Sequence, residues 1–257
     1  PLTEQLEKAG AKIAIGQRAT NITEDIDLVV YTAAIHPDNP EFVQAKALNI
    51  PMLTRAEFLG QLMLNYKLPI AVSGTHGKTT TSTLTSHLFT ASGAGCSAFL
   101  GGISKNYGTN LLVHDNDIVV AEADEFDRSF LQLFPEIAVI TSMDADHLDI
   151  YGDEEHIRAA FKEFASQVSG TVIAKYGIDI TPADTKARIL TYSFGDARAD
   201  FHAEPMGTEG HFNLHYPGGV IEDCVVGIPG WVNIENAVGA SAIGLVYGLD
   251  PQKIKEV

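Results

Sequence analysis

The stretch AVSGTHGKTTTSTLTSHLF, residues 71–89, decides how the chain is read. Its first residues form an apolar strand, Gly74 and Gly77 bracket a turn, and Lys78 and Thr79 open a threonine-rich helix. A helix start presents unpaired N–H groups and the positive end of a dipole, and glycines let the backbone close around phosphate oxygens. There, Lys78 would neutralise β- and γ-phosphates, and the Thr79 hydroxyl would be a ligand of Mg²⁺. The interval from Gly74 to Gly77 is shorter than in the common pattern G-x-x-x-x-G-K. The competing reading is a strand-to-helix turn whose threonines cap the helix and whose lysine is solvated. Strand, GKT and helix in this order favour the nucleotide, ATP or GTP.

On both sides of this loop, strands and helices alternate. Before it, residues 2–9 read as a helix stopped by Gly10, and AKIAIG as a strand. DLVVYTAAI, NPEFVQAKALN, IPML and RAEFLGQLMLNY then read as strand, helix, strand and helix. Residues 1–68 are therefore expected to be part of a Rossmann-like, doubly wound α/β domain that begins inside its fold. Lys67, Leu68 and Pro69 break the pattern, so a second domain is expected over 69–257. Its strand candidates are PIAVSG, DIVVAEA, IAVITS and TVIAK, separated by helical stretches such as EEHIRAAFKEFASQV. A mainly parallel sheet with helices on both faces follows. ILTYSFG, DFHAEPMG, HFNLHYPGG and EDCVVGIPG, punctuated by Gly and Pro, read as a small antiparallel β extension.

Composition narrows the function. Acidic residues outnumber Lys and Arg by 33 to 17, a formal charge of -16, which argues against DNA or RNA as a partner. A polyanionic ligand has to be gathered locally. Cys96 and Cys224 lie far apart without C-x-x-C spacing, so they read as buried small hydrophobes in a reducing cytoplasm. Neither a signal peptide nor an apolar run of membrane-spanning length is present.

Two acidic clusters follow later strands. DIVVAEADEFDRSF places Glu122, Asp124, Glu125 and Asp127 past an apolar strand, where open α/β sheets hold ligands. Glu122, nearest the strand end, is the expected Mg²⁺ ligand. For Glu125 and Asp127 an exposed acidic loop is at least as good a reading. IAVITSMDADHLDIYG repeats the pattern with Asp144, Asp146, His147 and Asp149. His147 could hold a second divalent ion or be a helix-start residue bonded to Asp144. His76 could touch a phosphate or face outward, and His87 reads as structural. No Ser/His/Asp elbow and no paired-carboxylate arrangement stands out.

GTHGKTTT, EADEFDRSF and DADHLDIYG, in this order and separation, resemble the central domain of the bacterial Mur ligases. VVYTAAIHPDNPEFVQAKALNIPMLTRAEFLGQLM is similar to the later part of their UDP-substrate domain, and GIPGWVNIENAVGASAIG to the segment that meets adenine. The resemblance implies that Gly74, Thr75, His76, Gly77, Lys78, Thr79 and Thr80 bind ATP. It implies that Thr79 and Glu122 hold Mg²⁺, that His147 serves a second metal site, and that Asn233 and Asn236 recognise adenine. It implies a cytoplasmic ATP-dependent ligase joining L-alanine to UDP-N-acetylmuramate through an acyl phosphate.

The departures from the family are specific. Val232 stands where the family has histidine, with Trp231 before it as a candidate stacking partner, and TAAI stands where SSAI is common. The glycine-rich start of the first domain and the whole C-terminal domain are missing, so the chain is expected to be inactive alone. A recycling ligase that attaches a preformed tripeptide, a P-loop NTPase of another class, and a non-catalytic fragment remain open. Oligomeric state is open as well.

Overall fold

The computed structural model describes residues 2–144 and 154–257; Asp146, His147 and Asp149 lie outside the described residues. The chain forms two compact units, Pro1–Leu59 and Gly60–Val257.

In the first unit, helix α1 (Leu2–Lys8) precedes a parallel strand pair, β1 (Val29–Tyr31) and β2 (Met52–Thr54), connected through α2 (Pro40–Ala47). Asn39 starts α2 because its Oδ1 accepts the Glu41 and Phe42 N–H groups at 2.9 and 3.2 Å, and Pro40 supplies a helical φ without wasting a donor. Helix α3 (Arg55–Met63) opens on a reciprocal capping box. The Glu57 carboxylate accepts the Thr54 N–H at 2.7 Å, while Thr54 Oγ1 accepts the Glu57 N–H at 3.2 Å. The strand expected at AKIAIG does not form: residues 11–16 are mostly exposed and pair with no strand among the described residues. Alternation supplies a strand's pattern, but only a neighbour's ladder satisfies its backbone.

The second unit is built on a sheet of ten strands among the described residues, in the order β12-β11-β10-β9-β8-β7-β3-β6-β4-β5. Strands β3 (Leu68–Ser73), β4 (Ser97–Ser104), β6 (Ile118–Ala123), β7 (Ile137–Ile140), β8 (Thr171–Lys175) and β9 (Arg188–Phe194) run parallel. Antiparallel β5 (Thr109–Leu112) forms one edge. Strands β10 (Phe201–Pro205), β11 (His211–Tyr216) and β12 (Gly219–Val225) reach the other.

Ile70, Val72, Val120, Val139 and Ile173 from the strands share one core with Leu88 and Phe89 of α4 (Lys78–Ala91) and Val238, Ala242 and Ile243 of α6 (Trp231–Tyr247). Gly244 lets α6 approach α4, since a Cβ there would lie 2.9 Å from Leu88 Cδ2. Helix α5 (Glu154–Ser166) buries Ile157, Ala160, Phe161, Phe164 and Ala165, one stripe at helical period, and Phe161 and Phe164 pack on Phe130. Helix α7 (Pro251–Glu256) adds buried Ile254.

Two details differ from the sequence expectation. ILTYSFG, expected in the antiparallel extension, is β9, which pairs in parallel with both β8 and β10. The Asp200 carboxylate accepts the Thr191 N–H at 2.7 Å and the Thr191 hydroxyl at 2.9 Å, drawing the chain back so that β10 starts alongside β9. The antiparallel part is β10-β11-β12. Strand β4, interrupted by Gly101 and Gly102, carries no sustained apolar pattern and was not foreseen. Cys96 and Cys224 are free and buried as expected, and burial pushes the Cys96 thiol up to about 11. Among the described residues no helix is long and apolar enough to cross a membrane.

Candidate active site

The sheet order reverses at β3, which has β6 on one side and β7 on the other. Such a reversal opens a crevice at the carboxyl ends of the strands. The segment Gly74–Gly77 leaves β3 at that point and runs into α4. Gly74 and Gly77 have φ of 135° and 85°, in the left-handed region that favours glycine. A Cβ on Gly74 would collide with Thr141 Oγ1, and one on Gly77 would lie 2.8 Å from Asn236 Oδ1.

Residues at the end of β7 brace the loop from beneath. Thr141 Oγ1 donates to the Ser73 carbonyl at 3.0 Å and lies against that of His76. Ser142 Oγ accepts the His76 N–H at 2.8 Å and shares a hydrogen bond of the same length with Thr75 Oγ1. Gly77 caps α4 without a side-chain bond, and the Thr81 N–H is already on the Gly77 carbonyl at 2.9 Å. The preceding N–H groups of the first turn therefore face out of the helix end, as an anion site requires.

Lys78 turns back over the loop. Its Nζ donates to the Gly74 carbonyl at 2.8 Å and to Glu125 Oε2 and Oε1 at 2.7 and 3.0 Å. The Glu125 side chain is 1% exposed and that of Lys78 14%. This corrects the reading of Glu125 as an exposed loop acid; Asp124 and Asp127 beside it are exposed. On the other side of the helix start, Thr79 Oγ1 donates to Glu122 Oε1 at 3.1 Å, and Glu122 Oε2 accepts the Gly101 N–H at 3.1 Å. Thr79 and Thr80 line a cleft of about 500 Å³ with Thr83, Gly102 and Lys105.

Other residues singled out in the sequence lie around this centre. The His76 ring is 71% exposed, with Nδ1 3.2 Å from Thr75 Oγ1 and 3.8 Å from Asp144 Oδ2. His87 Nδ1 meets the Tyr107 hydroxyl at 2.9 Å. Asn236 is 6% exposed, sits under the loop and accepts the Thr81 hydroxyl at 3.3 Å. Asn233, half-buried one turn earlier, donates to the Pro229 carbonyl at 2.7 Å. Trp231 is 56% exposed, its ring tilted on Phe194 at 5.8 Å. His147 lies outside the described residues. Among the described residues no cluster of three or more His, Cys, Asp or Glu could hold a metal. The sequence names Glu125 only as one of a cluster for which an exposed loop is as good a reading, and it does not single out Thr141, Ser142 or Gly101. The available signal for two of them was a Thr-Ser pair ending the apolar run IAVITS.

Known proteins with related sequences share this arrangement of elements. Residues 72–244 match the Mur ligase middle domain, and residues 1–67 match the Mur ligase family catalytic domain. The UDP-N-acetylmuramate--L-alanine ligase of Porphyromonas gingivalis is 41% identical over 99% of this chain and 58% of its own length. That of Agathobacter rectalis is 42% identical over 98% of this chain and 57% of its own length. The chain thus spans less than two thirds of the curated relatives it matches. Among solved structures, the UDP-N-acetylmuramate-alanine ligase MurC of Thermotoga maritima superposes with a TM-score of 0.82 at 28% identity, covering 99% of this chain and 59% of that one. The UDP-N-acetylmuramate:L-alanyl-gamma-D-glutamyl-meso-diaminopimelate ligase of Neisseria meningitides shares the fold, with a TM-score of 0.88 at 22% identity over 100% of this chain and 85% of that one. With residues 72–244 matched to its middle domain and relatives about 41% identical over nearly the whole chain, the chain belongs to the Mur ligase family.

Proposed function

We propose that this chain supplies the ATP-binding domain, and part of the UDP-substrate-binding domain, of a cytoplasmic ligase that joins L-alanine to UDP-N-acetylmuramate in peptidoglycan synthesis. The observation that carries the reading is the convergence of Lys78, Thr79 and Glu122 beside the uncapped start of α4. The 41% identity to a relative named for this reaction supports the substrate assignment. We take residues 1–68 as the UDP-substrate part and 69–257 as the ATP-binding part.

Amide synthesis in water needs an electrophilic carboxylate. In the proposed reaction the lactyl carboxylate of UDP-N-acetylmuramate bonds to the γ-phosphorus of ATP, and the β,γ-bridging P–O bond breaks as ADP leaves. The L-alanine amine then attacks the acyl carbon and expels phosphate, losing a proton. Lys78 and the N–H groups of Gly77, Lys78, Thr79 and Thr80 hold the triphosphate and offset the charge that moves during transfer. Thr75 and His76 complete the loop.

The donor set fits Mg²⁺: Thr79 Oγ1 and Glu122 Oε1 are hard oxygens 3.1 Å apart, and Mg²⁺ takes few protein ligands. When bound, the ion neutralises phosphate charge. His147 is assigned to a second metal site. Asn233, at the more open start of α6, is better able to reach the adenine edge than buried Asn236, and Trp231 offers its face to the base. A MgATP titration of this chain tests the nucleotide assignment, with saturable binding expected and no binding overturning it. In the protein that carries this chain together with its C-terminal domain, ADP release is expected to require both UDP-N-acetylmuramate and L-alanine. Release driven by a preformed tripeptide but not by L-alanine would reassign the substrate.

A further inference from the structure

The buried ion pair at Lys78 has a structural cost that the fold alone does not require. Glu125 sits in the loop after β6, flanked by exposed Asp124, Phe126, Asp127 and Arg128, yet its own side chain is 1% exposed. Removing a carboxylate from water is costly unless a partner compensates it. The turn that turns it inward has its own penalty: Asp127 and Arg128 are both left-handed, with φ of 52° and 57°. That region crowds a side-chain-bearing residue, Arg128 above all. The turn is fixed by the Arg128 N–H on the Glu125 carbonyl at 3.0 Å, by the Phe130 N–H on the Asp124 carbonyl at 2.8 Å, and by Arg128 on Glu163 at 2.5 Å. Strain of this kind persists where the surroundings enforce it, and it concentrates at functional sites.

We infer that Glu125 is a positioning residue for Lys78, aiming its ammonium at the transferring phosphate. The inference rests on the assignment of Lys78 to the triphosphate. A lysine is a flexible stem with three donors and no built-in direction. Here the Gly74 carbonyl and the Glu125 carboxylate fix the ammonium from two sides, directing what donor capacity remains over the loop. Electrostatic stabilisation is effective when the charge is set before the reaction begins. The same carboxylate also places a negative charge beside the bound phosphates, so Glu125 adds little to ground-state affinity. Its contribution falls on the transition state.

The test is a KM-against-kcat split in the complete enzyme, measured by ADP release. Glu125→Gln keeps the shape and removes the charge; Glu125→Asp keeps the charge, so Lys78 stays neutralised and the fold is retained, but shortens the arm. Both are expected to lower kcat by about tenfold or more while KM for MgATP stays within about threefold of wild type or falls. In Glu125→Gln, Lys78 is also expected to acetylate faster than in wild type, read by mass spectrometry and independent of turnover. A folded Glu125 variant with wild-type kcat would overturn the inference. So would kcat and KM worsening together with a falling Tm, which is the signature of a merely structural pair. If Glu125→Gln does not accumulate, the Glu125→Asp result decides. Failure of wild-type protein to bind MgATP would instead defeat the nucleotide assignment itself.

Discussion

The two ends of the proposed nucleotide site are built differently. At the phosphate end, Lys78, Glu125, Thr79, Glu122, Thr141 and Ser142 are already hydrogen-bonded to one another or to the loop. At the start of α6, Trp231 and Val232 are exposed at 56% and 46%, and among the described residues Asn233 is bonded only to its own turn. Charge transfer needs fixed dipoles and ions, whereas a base can be held by an adaptable apolar face. The difference teaches that this fold spends its order on the reacting end.

The strongest way to break that comparison is to remove the lysine. Lys78→Ala is expected to abolish ATP turnover in the complete enzyme. The sequence alone leads one to expect the fold to be untouched, but the change takes the Lys78 ammonium away from the buried Glu125 carboxylate. Breaking a buried pair costs about 3–5 kcal/mol. For a unit of this size that lowers Tm by roughly 10 °C. The double change Lys78→Ala with Glu125→Leu should restore most of the Tm and none of the turnover, as read by thermal denaturation beside an ADP assay. Gly74→Ala attacks the same end through the backbone, because its Cβ would meet Thr141 Oγ1 and lie 2.8 Å from the Ser142 N–H nitrogen. We expect it to lose both MgATP binding and stability.

A finer probe separates the metal assignment from the loop. A Cβ on Gly101 would press on the Glu122 carboxylate, which is the mobile end of a side chain. Gly101→Ala is thus expected to leave Tm nearly unchanged while raising the Mg²⁺ needed for half-maximal turnover by about tenfold, the usual range for disturbing a metal ligand's support. A normal Mg²⁺ dependence in this variant would remove Glu122 from the metal site.

What was legible in the sequence divides along the same line. Strands β3, β6, β7 and β8 declared themselves as apolar runs, and α5 by its spacing from Ile157 to Ala165. Lys78, Thr79 and Glu122 could be picked out because the first two open α4 and the third stands at the end of β6, where chain position nearly fixes side-chain position. Glu125 was not, because nothing local distinguishes it from Asp124 or Asp127; its burial follows from the left-handed turn at Asp127 and Arg128 and from a lysine distant in sequence. Strand β9 was misassigned for a similar reason, since the Asp200 tie to Thr191 sets its partner's direction and periodicity does not. Gly101 reads as a weak point in a strand until the carboxylate above it is known.

The smallest expected effect lies at the base end. Trp231 occupies the first position of α6, beside Val232 where the family has a histidine, and its ring is tilted 44° on Phe194. If base stacking replaces the missing contact, Trp231→Ala should raise KM for ATP by about fivefold to a hundredfold, since one stacked base is worth about 1–3 kcal/mol. It should leave kcat and Tm near wild type, because the ring is half-exposed and makes no contact with Lys78, Thr79 or Glu122 among the described residues. Trp231→Phe should recover most of the loss. Equal KM in all three proteins would mean that the open face does not carry the base, and that Asn233 and the loop alone hold ATP. A fall in kcat without a change in KM would be more damaging, because it would couple the open end to the chemistry assigned to the phosphate end alone.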